Sequence, residues 1–359
     1  MKILIVPAIT QPRCDAAYQI CANLITLFRP ATIAVCASRE NHFHHVSLYQ
    51  CPVPCKSHFF REKELSYETH LSHLGLTSLS FLQKDMDAIS YAVNHFEPDM
   101  IFTLDRIAAI PIALKKQIPI VAFVHSCMYL KNNVPVSSLK GINTFLKENN
   151  MTQILHLRDL YRLCTDRIGF GISSFFPYPE EEQITRIGSM SFLTPPCKKE
   201  NDICIFFSHV PVFKTRFRHI IEETFNGAPF TVHVYYPHCK SETKGNIHYT
   251  KNMKTSFLIR CSVCIHSGDD YLSNICESFA IPQIIYADPS CTSRFNSMAI
   301  RRNNVGFVFT DRQFSLKTMY ESYRCCITDS HLQKNLSSVS LQIQEEGNLS
   351  KLLNMIKQV

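Results

Sequence analysis

The sequence predicts an α/β protein built as two doubly wound, Rossmann-like lobes facing a cleft. Three observations point there. The 359 residues exceed one ordinary hydrophobic core and suit two domains. Short β-branched runs alternate with stretches of helical periodicity in both halves, as in parallel sheets wrapped by helices. One aperiodic stretch, "FLTPPCKKEND" at 192–202, carries two prolines and two lysines and divides the two series. On this reading the first lobe spans 1–194, a linker 195–201, the second lobe 202–340 and a C-terminal helix 341–359.

The elements follow in order. "KILIV" is a strand ending at Pro7, and "AAYQICANLITLF" has apolar residues at helical spacing, Ile20, Leu24, Leu27 and Phe28. "ATIAVCAS" is the next strand. A helix ends before Pro98 and leads into a strand at 100–104, and a helix over "RIAAIPIALKKQ" leads into a strand at 120–124. The region 129–163, with "ILHLRDLYRLC", is polar-helical and caps the lobe. After the linker the pattern restarts: "ICIFFS" is a strand, "TRFRHIIEETFNG" a helix closed by Gly227, and "FTVHVYY" a strand. "SVCIH", a helix at 270–279 and "QIIYA" complete the series, and "LSKLLNMIKQV" reads as a short amphipathic tail.

Composition narrows the function classes. An apolar fraction of 45% and a charged fraction of 19% describe a globular chain. The net charge of +7 has no block of five basic residues behind it, which argues against nucleic acid and suits anionic substrates or an anionic membrane surface. The sixteen cysteines are irregularly spaced, several lie inside apolar runs, and "MKILIVPAIT" does not read as a secretory signal; reduced thiols in the cytoplasm are expected. The C-x-x-C at Cys261 and Cys264 has no second pair, and "HFHH" at 42–45 reads as a solvated loop, so no metal is expected. The apolar region 101–125 is broken by Asp105, Arg106, Lys115 and Lys116 and is not a membrane span.

Several segments, in order, resemble the UDP-glycosyltransferase family with its two-lobed GT-B architecture. "GNIHYTKNMKTSFLIRCSVCIHSG" resembles the passage into the family's strand ending His-Gly-Gly; "FAIPQIIYADP" resembles its Gly-Val-Pro and strand; "NSMAIRRNNVGF" resembles its Asn-to-Gly segment. In the first half, "FEPDMIFTLD" and "IPIALKKQIPIVAF" are similar to its Arg-Pro-Asp and Gly-Ile-Pro strands. The resemblance implies an inverting hexosyltransferase that moves a sugar from a nucleotide diphosphate to a hydroxyl acceptor, which is a small molecule, a glycan or a lipid. It implies no obligatory cofactor, the nucleotide sugar being a co-substrate. A cytoplasmic site is expected, with peripheral contact on the inner membrane face and a protein partner kept open.

The residue correspondences are partial. The family's base is a His in the loop after the first strand, where an imidazole activates a neutral alcohol. Here "PAITQPRCD" has none, and Asp15 is its only carboxylate. The acid that orients the base corresponds to Asp105, with His125 at the end of the next strand a substitute base; Asp105 is equally readable as a helix cap. For the donor, the resemblance assigns Ser208, His266, Ser267 and Gly268, the ribose contact as Asn274 or Glu277, and sugar contacts as Ser293 and Asn296. Asp269 and Asp270 read as a helix start, or else repel a diphosphate unless a cation intervenes. A non-catalytic GT-B protein is the alternative, and a nucleotide-sugar epimerase a lesser one.

Overall fold

In the computed structural model the described residues are 1–9, 16–38, 43–54, 66–129, 136–189, 199–207, 214–236, 239–250, 255–310, 312–347 and 352–354. Two units emerge, one of Met1–Phe170 and Pro177–Ile187 with the C-terminal segment, the other of Gly171–Phe176 and Gly188–Gly347.

The first unit holds strands β1 (Lys2–Pro7), β2 (Thr32–Ala37), β3 (Ser47–Gln50), β4 (Met100–Leu104), β5 (Ile120–Phe123), β6 (Asp166–Gly169) and β7 (Thr185–Arg186). Its helices are α1 (Ala16–Leu27), α2 (Tyr67–His73), α3 (Leu79–Phe96), α4 (Ala109–Lys116), α5 (Val136–Glu148) and α6 (Leu157–Tyr161). The strands pair in the order β3-β2-β1-β4-β5-β6-β7, all parallel. Parallel strands between helical layers lose water on both faces, and β4 and β5 are accordingly buried at every position. The order reverses between β1 and β4, where a doubly wound sheet opens its ligand crevice.

The second unit repeats the plan. Its strands are β8 (Ile203–Phe206), β9 (Val232–Tyr235), β10 (Glu242–Lys244), β11 (Ile247–Thr250), β12 (Val263–His266), β13 (Gln283–Tyr286) and β14 (Gly306–Phe309). Its helices are α7 (Lys214–Phe225), α8 (Thr255–Arg260), α9 (Asp270–Ser278), α10 (Cys291–Asn303), α11 (Leu316–Thr328) and α12 (Ser330–Glu346). The order is β10-β11-β9-β8-β12-β13-β14, parallel except for the β10–β11 edge pair, and the reversal falls between β8 and β12. Residues alternate along these strands: Ile203, Ile205, Val263 and Ile265 join the core cluster with Phe217, Ile221 and Phe225 of α7, and the residues between them face the opposite layer.

The observed division differs from the one expected at 194 and 340. Gly171–Phe176 belongs to the second unit, held there by the Gly171–Gly188 bridge, by Phe176 against Phe295 at 5.8 Å, and by Glu346 on Ser173. Helix α12 runs through 340 without a break. The expected linker 195–201 lies largely outside the described residues.

Every described cysteine is buried except Cys325, and none is in a disulfide. No described helix is long and apolar enough to cross a membrane.

Ala280, just after α9, sits at φ +48, where a Cβ is strained by roughly 1–2 kcal/mol. Ala280→Gly should therefore stabilise the chain by up to about 1 kcal/mol after the entropic cost of glycine. A rise in the urea midpoint checks it.

Candidate active site

In the first unit the chemistry gathers where β4 and β5 end. Asp105 follows β4 directly, in the left-handed region at φ +59, pinned by a bridge to Pro7. An Asp tolerates that conformation better than most side chains, and such backbone positions concentrate at functional sites. Its Oδ1 accepts from the Tyr67 hydroxyl at 2.7 Å and, longer, from Tyr161 at 3.4 Å. Its Oδ2 lies 3.3 Å from His125 Nε2, and the His125 ring packs on Tyr67 at 4.8 Å between centroids.

Burial of the Asp105 carboxyl works to raise its pKa, but His125 and the Tyr67 hydroxyl outweigh it and hold the group below its ordinary value. Burial, with Asp105 beside them, pushes the Tyr67 and Tyr161 phenols well above theirs, so both remain donors. The result is an anionic carboxylate aimed at an imidazole, the two side chains 18% and 23% exposed. The capping alternative falls away, because the N-cap of α4 is Ala108 and no side chain caps it.

The next residue points the other way. Arg106 is fully buried, donates to Pro7 O at 3.1 Å and Pro52 O at 3.2 Å, and pairs with buried Asp85 of α3. Thr103 Oγ1 donates to the Arg106 carbonyl at 3.0 Å, fixing the turn between them. Asp15 lies outside the described residues.

In the second unit the ends of β12 and β13 bring together most of the expected donor residues. Gly268, at φ +86, lets α10 approach: an added Cβ would lie 2.8 Å from Ser293 Oγ and 3.0 Å from Ser293 Cα. Ser293 Oγ donates to Ser267 O at 2.5 Å, and Asn296 Nδ2 reaches Gly268 O at 2.9 Å and Asp270 Oδ1 at 2.6 Å. Gly268→Ala should thus cost more than about 1 kcal/mol, through strain and clash together, as a lowered urea midpoint.

His266 departs from its expected role as a phosphate contact. It is wholly buried; its Nδ1 accepts from Gly268 N at 3.1 Å, which makes Nε2 the protonated nitrogen donating to Gln283 Oε1 at 2.9 Å. Burial drops its pKa to about 4 against the pull of Gln283, so the ring is neutral at pH 7. Asn274 likewise turns inward and donates to Gly188 O at 3.2 Å. Glu277 is buried, and burial with Asp270 nearby lifts its carboxyl well above its usual value. Asp269 caps α9, accepting from Tyr271 N at 3.0 Å and Leu272 N at 3.2 Å. The helix-start reading of the two aspartates therefore holds. Ser208 lies outside the described residues.

No family model matches this sequence, and no curated protein matches it. Solved structures do. The calicheamicin glycosyltransferase CalG4 is 12% identical with a TM-score of 0.71, covering 99% of this chain and 97% of its own. The glycotransferase of kitacinnamycin is 11% identical at 0.71, covering 99% and 98%. Glycosyltransferase VinC, solved in complex with dTDP, is 8% identical at 0.70, covering 100% and 99%. The chain has the GT-B glycosyltransferase fold.

Within the GT-B fold, sequence reasoning singled out Asp105 and His125, which the structure brings together, but not Tyr67 and Tyr161, which bond to Asp105. Those tyrosines lie 38 and 56 positions from Asp105, beyond any local spacing signal.

Proposed function

We propose that this protein is a glycosyltransferase that moves a sugar from a nucleotide diphosphate to a hydroxyl acceptor with inversion, using the Asp105–His125 pair as its base. The observation that supports this is the 3.3 Å contact between an anionic, tyrosine-anchored carboxylate and a partly exposed imidazole at the ends of two parallel strands. In this mechanism His125 takes the acceptor proton as the oxygen attacks the anomeric carbon, and Asp105 stabilises the imidazolium. The bond to the diphosphate breaks as the new one forms, which inverts the centre. The dTDP complex of VinC supports a nucleoside diphosphate sugar as the donor class.

A second reading, a non-catalytic partner or scaffold protein with this fold, is favoured by one observation. The Asp269 carboxylate already satisfies the two N–H groups that would face an anion at the head of α9.

One experiment separates them. The protein is incubated with dTDP- and UDP-sugars and a panel of phenolic and sugar acceptors, and product is followed by mass spectrometry beside a thermal-shift screen. Transfer that is lost in His125→Ala supports the enzyme. Binding without transfer supports the second reading; ligand at a hundredfold excess over Kd stabilises by about 2.7 kcal/mol. Neither binding nor transfer would reject the enzyme and leave the scaffold reading standing.

A further inference from the structure

The second unit holds a cluster of thiols that the proposed chemistry does not use. Cys264 and His266 sit two residues apart on β12 and so share one face of the sheet. Cys276 of α9 comes down onto that face, and the ligand atoms of Cys264, His266 and Cys276 all lie within 4.8 Å of one another, every residue buried. Register places Cys204 of β8 and Gln283 of β13 on either side of Cys264. Cys261, just after α8, is hydrogen-bonded to Cys204, so four thiols and an imidazole meet in one interior.

We propose that Cys264, His266 and Cys276 bind one thiophilic divalent cation of the zinc type inside the second unit. Two thiols and an imidazole are the ligand set such an ion selects. Binding releases two protons: the ion and two thiols become a dithiolate complex of zero net charge, which suits a fully enclosed interior. His266 is oriented as metal-bound imidazoles are, with Nε2–H held by Gln283 Oε1 and the lone pair on Nδ1. The ion replaces the 3.1 Å bond from Gly268 N to Nδ1 and returns that N–H to the loop at the head of α9. Glu277 and Gln283, both buried beside these ligands, make the surroundings of the site polar, with Gln283 hydrogen-bonded to the Glu277 carboxyl. The ion would tie the end of β12 to α9 at the root of the expected donor loop.

Because the ligands are buried, the ion is loaded during refolding. The full chain is refolded with Zn(II) or Co(II), freed of excess by a weak chelator, and assayed for metal content and absorption. About one zinc per chain is expected, and the cobalt form should show an intense thiolate-to-metal band with tetrahedral ligand-field bands. Cys264→Ala and Cys276→Ala should weaken cobalt binding at least tenfold, whereas Cys21→Ala of the first unit should not. A wild-type chain that refolds with cobalt and shows no thiolate band overturns the proposal. So does an undiminished band in either variant. The wild-type arm needs no substitution, so it still tests the site where a variant fails to fold.

Discussion

Arg106→Ala is expected to cost about 3–5 kcal/mol of stability, the largest single-residue loss in the first unit. The guanidinium is 1% exposed and Asp85 0%. Removing the cation leaves a buried carboxylate with its Oδ2 already unpartnered, and also strips the Pro7 and Pro52 carbonyls of their donors. Burial pushes the Asp85 carboxyl up to about 6, with Arg106 pulling it partway back. The native pKa thus stands above the unfolded value near 3.8, so the contribution of protonated Asp85 is complete below 3.8 and lost as pH rises through about 6. The deficit of Arg106→Ala should therefore be smaller at pH 5 than at pH 8, as neutral Asp85 tolerates the lost partner. Urea denaturation at both pH values checks this, and an equal deficit would show that Asp85 does not titrate between them. Replacing both partners, as Arg106→Met with Asp85→Leu, should recover much of the loss, because an apolar pair leaves no uncompensated charge.

Asp105→Asn should lower glycosyl transfer by about 10²–10⁴-fold while nucleotide binding changes little. An amide does not stabilise the imidazolium, and its NH₂ edge can meet His125 as a donor, reversing the ring's tautomer. Tyr67 and Tyr161 anchor the same oxygen, so position is retained and charge alone is removed. His125→Ala should cost a comparable factor, and the double variant little more, since the two act as a unit. Initial rates beside calorimetric binding measure the split; equal rates in wild type and Asp105→Asn would remove this pair from the mechanism. The Asp105 pKa is depressed, so its contribution to stability is complete above the ordinary value of 3.8 and lost as pH falls through the native value. The Asn variant should accordingly be less stable at neutral pH, with the difference closing in strong acid.

Much of the architecture was legible because sheet and helix periodicity are local. The runs that became β1, β2, β4, β5, β8, β12 and β13 are short apolar segments with turn residues around them, and α1 and α7 follow the helical repeat. Asp105, His125 and the His266–Gly268 turn were singled out through the family resemblance, and their place at strand ends, where doubly wound sheets bind ligands, agrees with it.

The partners of those side chains were not legible, because register and burial choose them. Parallel pairing sets β4 beside β5 and so brings His125 to Asp105, while Tyr67 arrives from an unpredicted helix and turns Asp105 from a cap into an oriented anion. His266 illustrates the opposite outcome: its sequence position suggests a ligand contact, yet enclosure leaves an imidazole only protein partners, and both nitrogens find them in Gly268 and Gln283. The same enclosure gathers Cys204, Cys264 and Cys276 from three elements, a grouping that spacing along the chain does not encode. Periodicity fixes which face of an element turns inward, but only the packed sheet decides what each inward group meets, since an unpaired polar atom there costs too much to leave to chance.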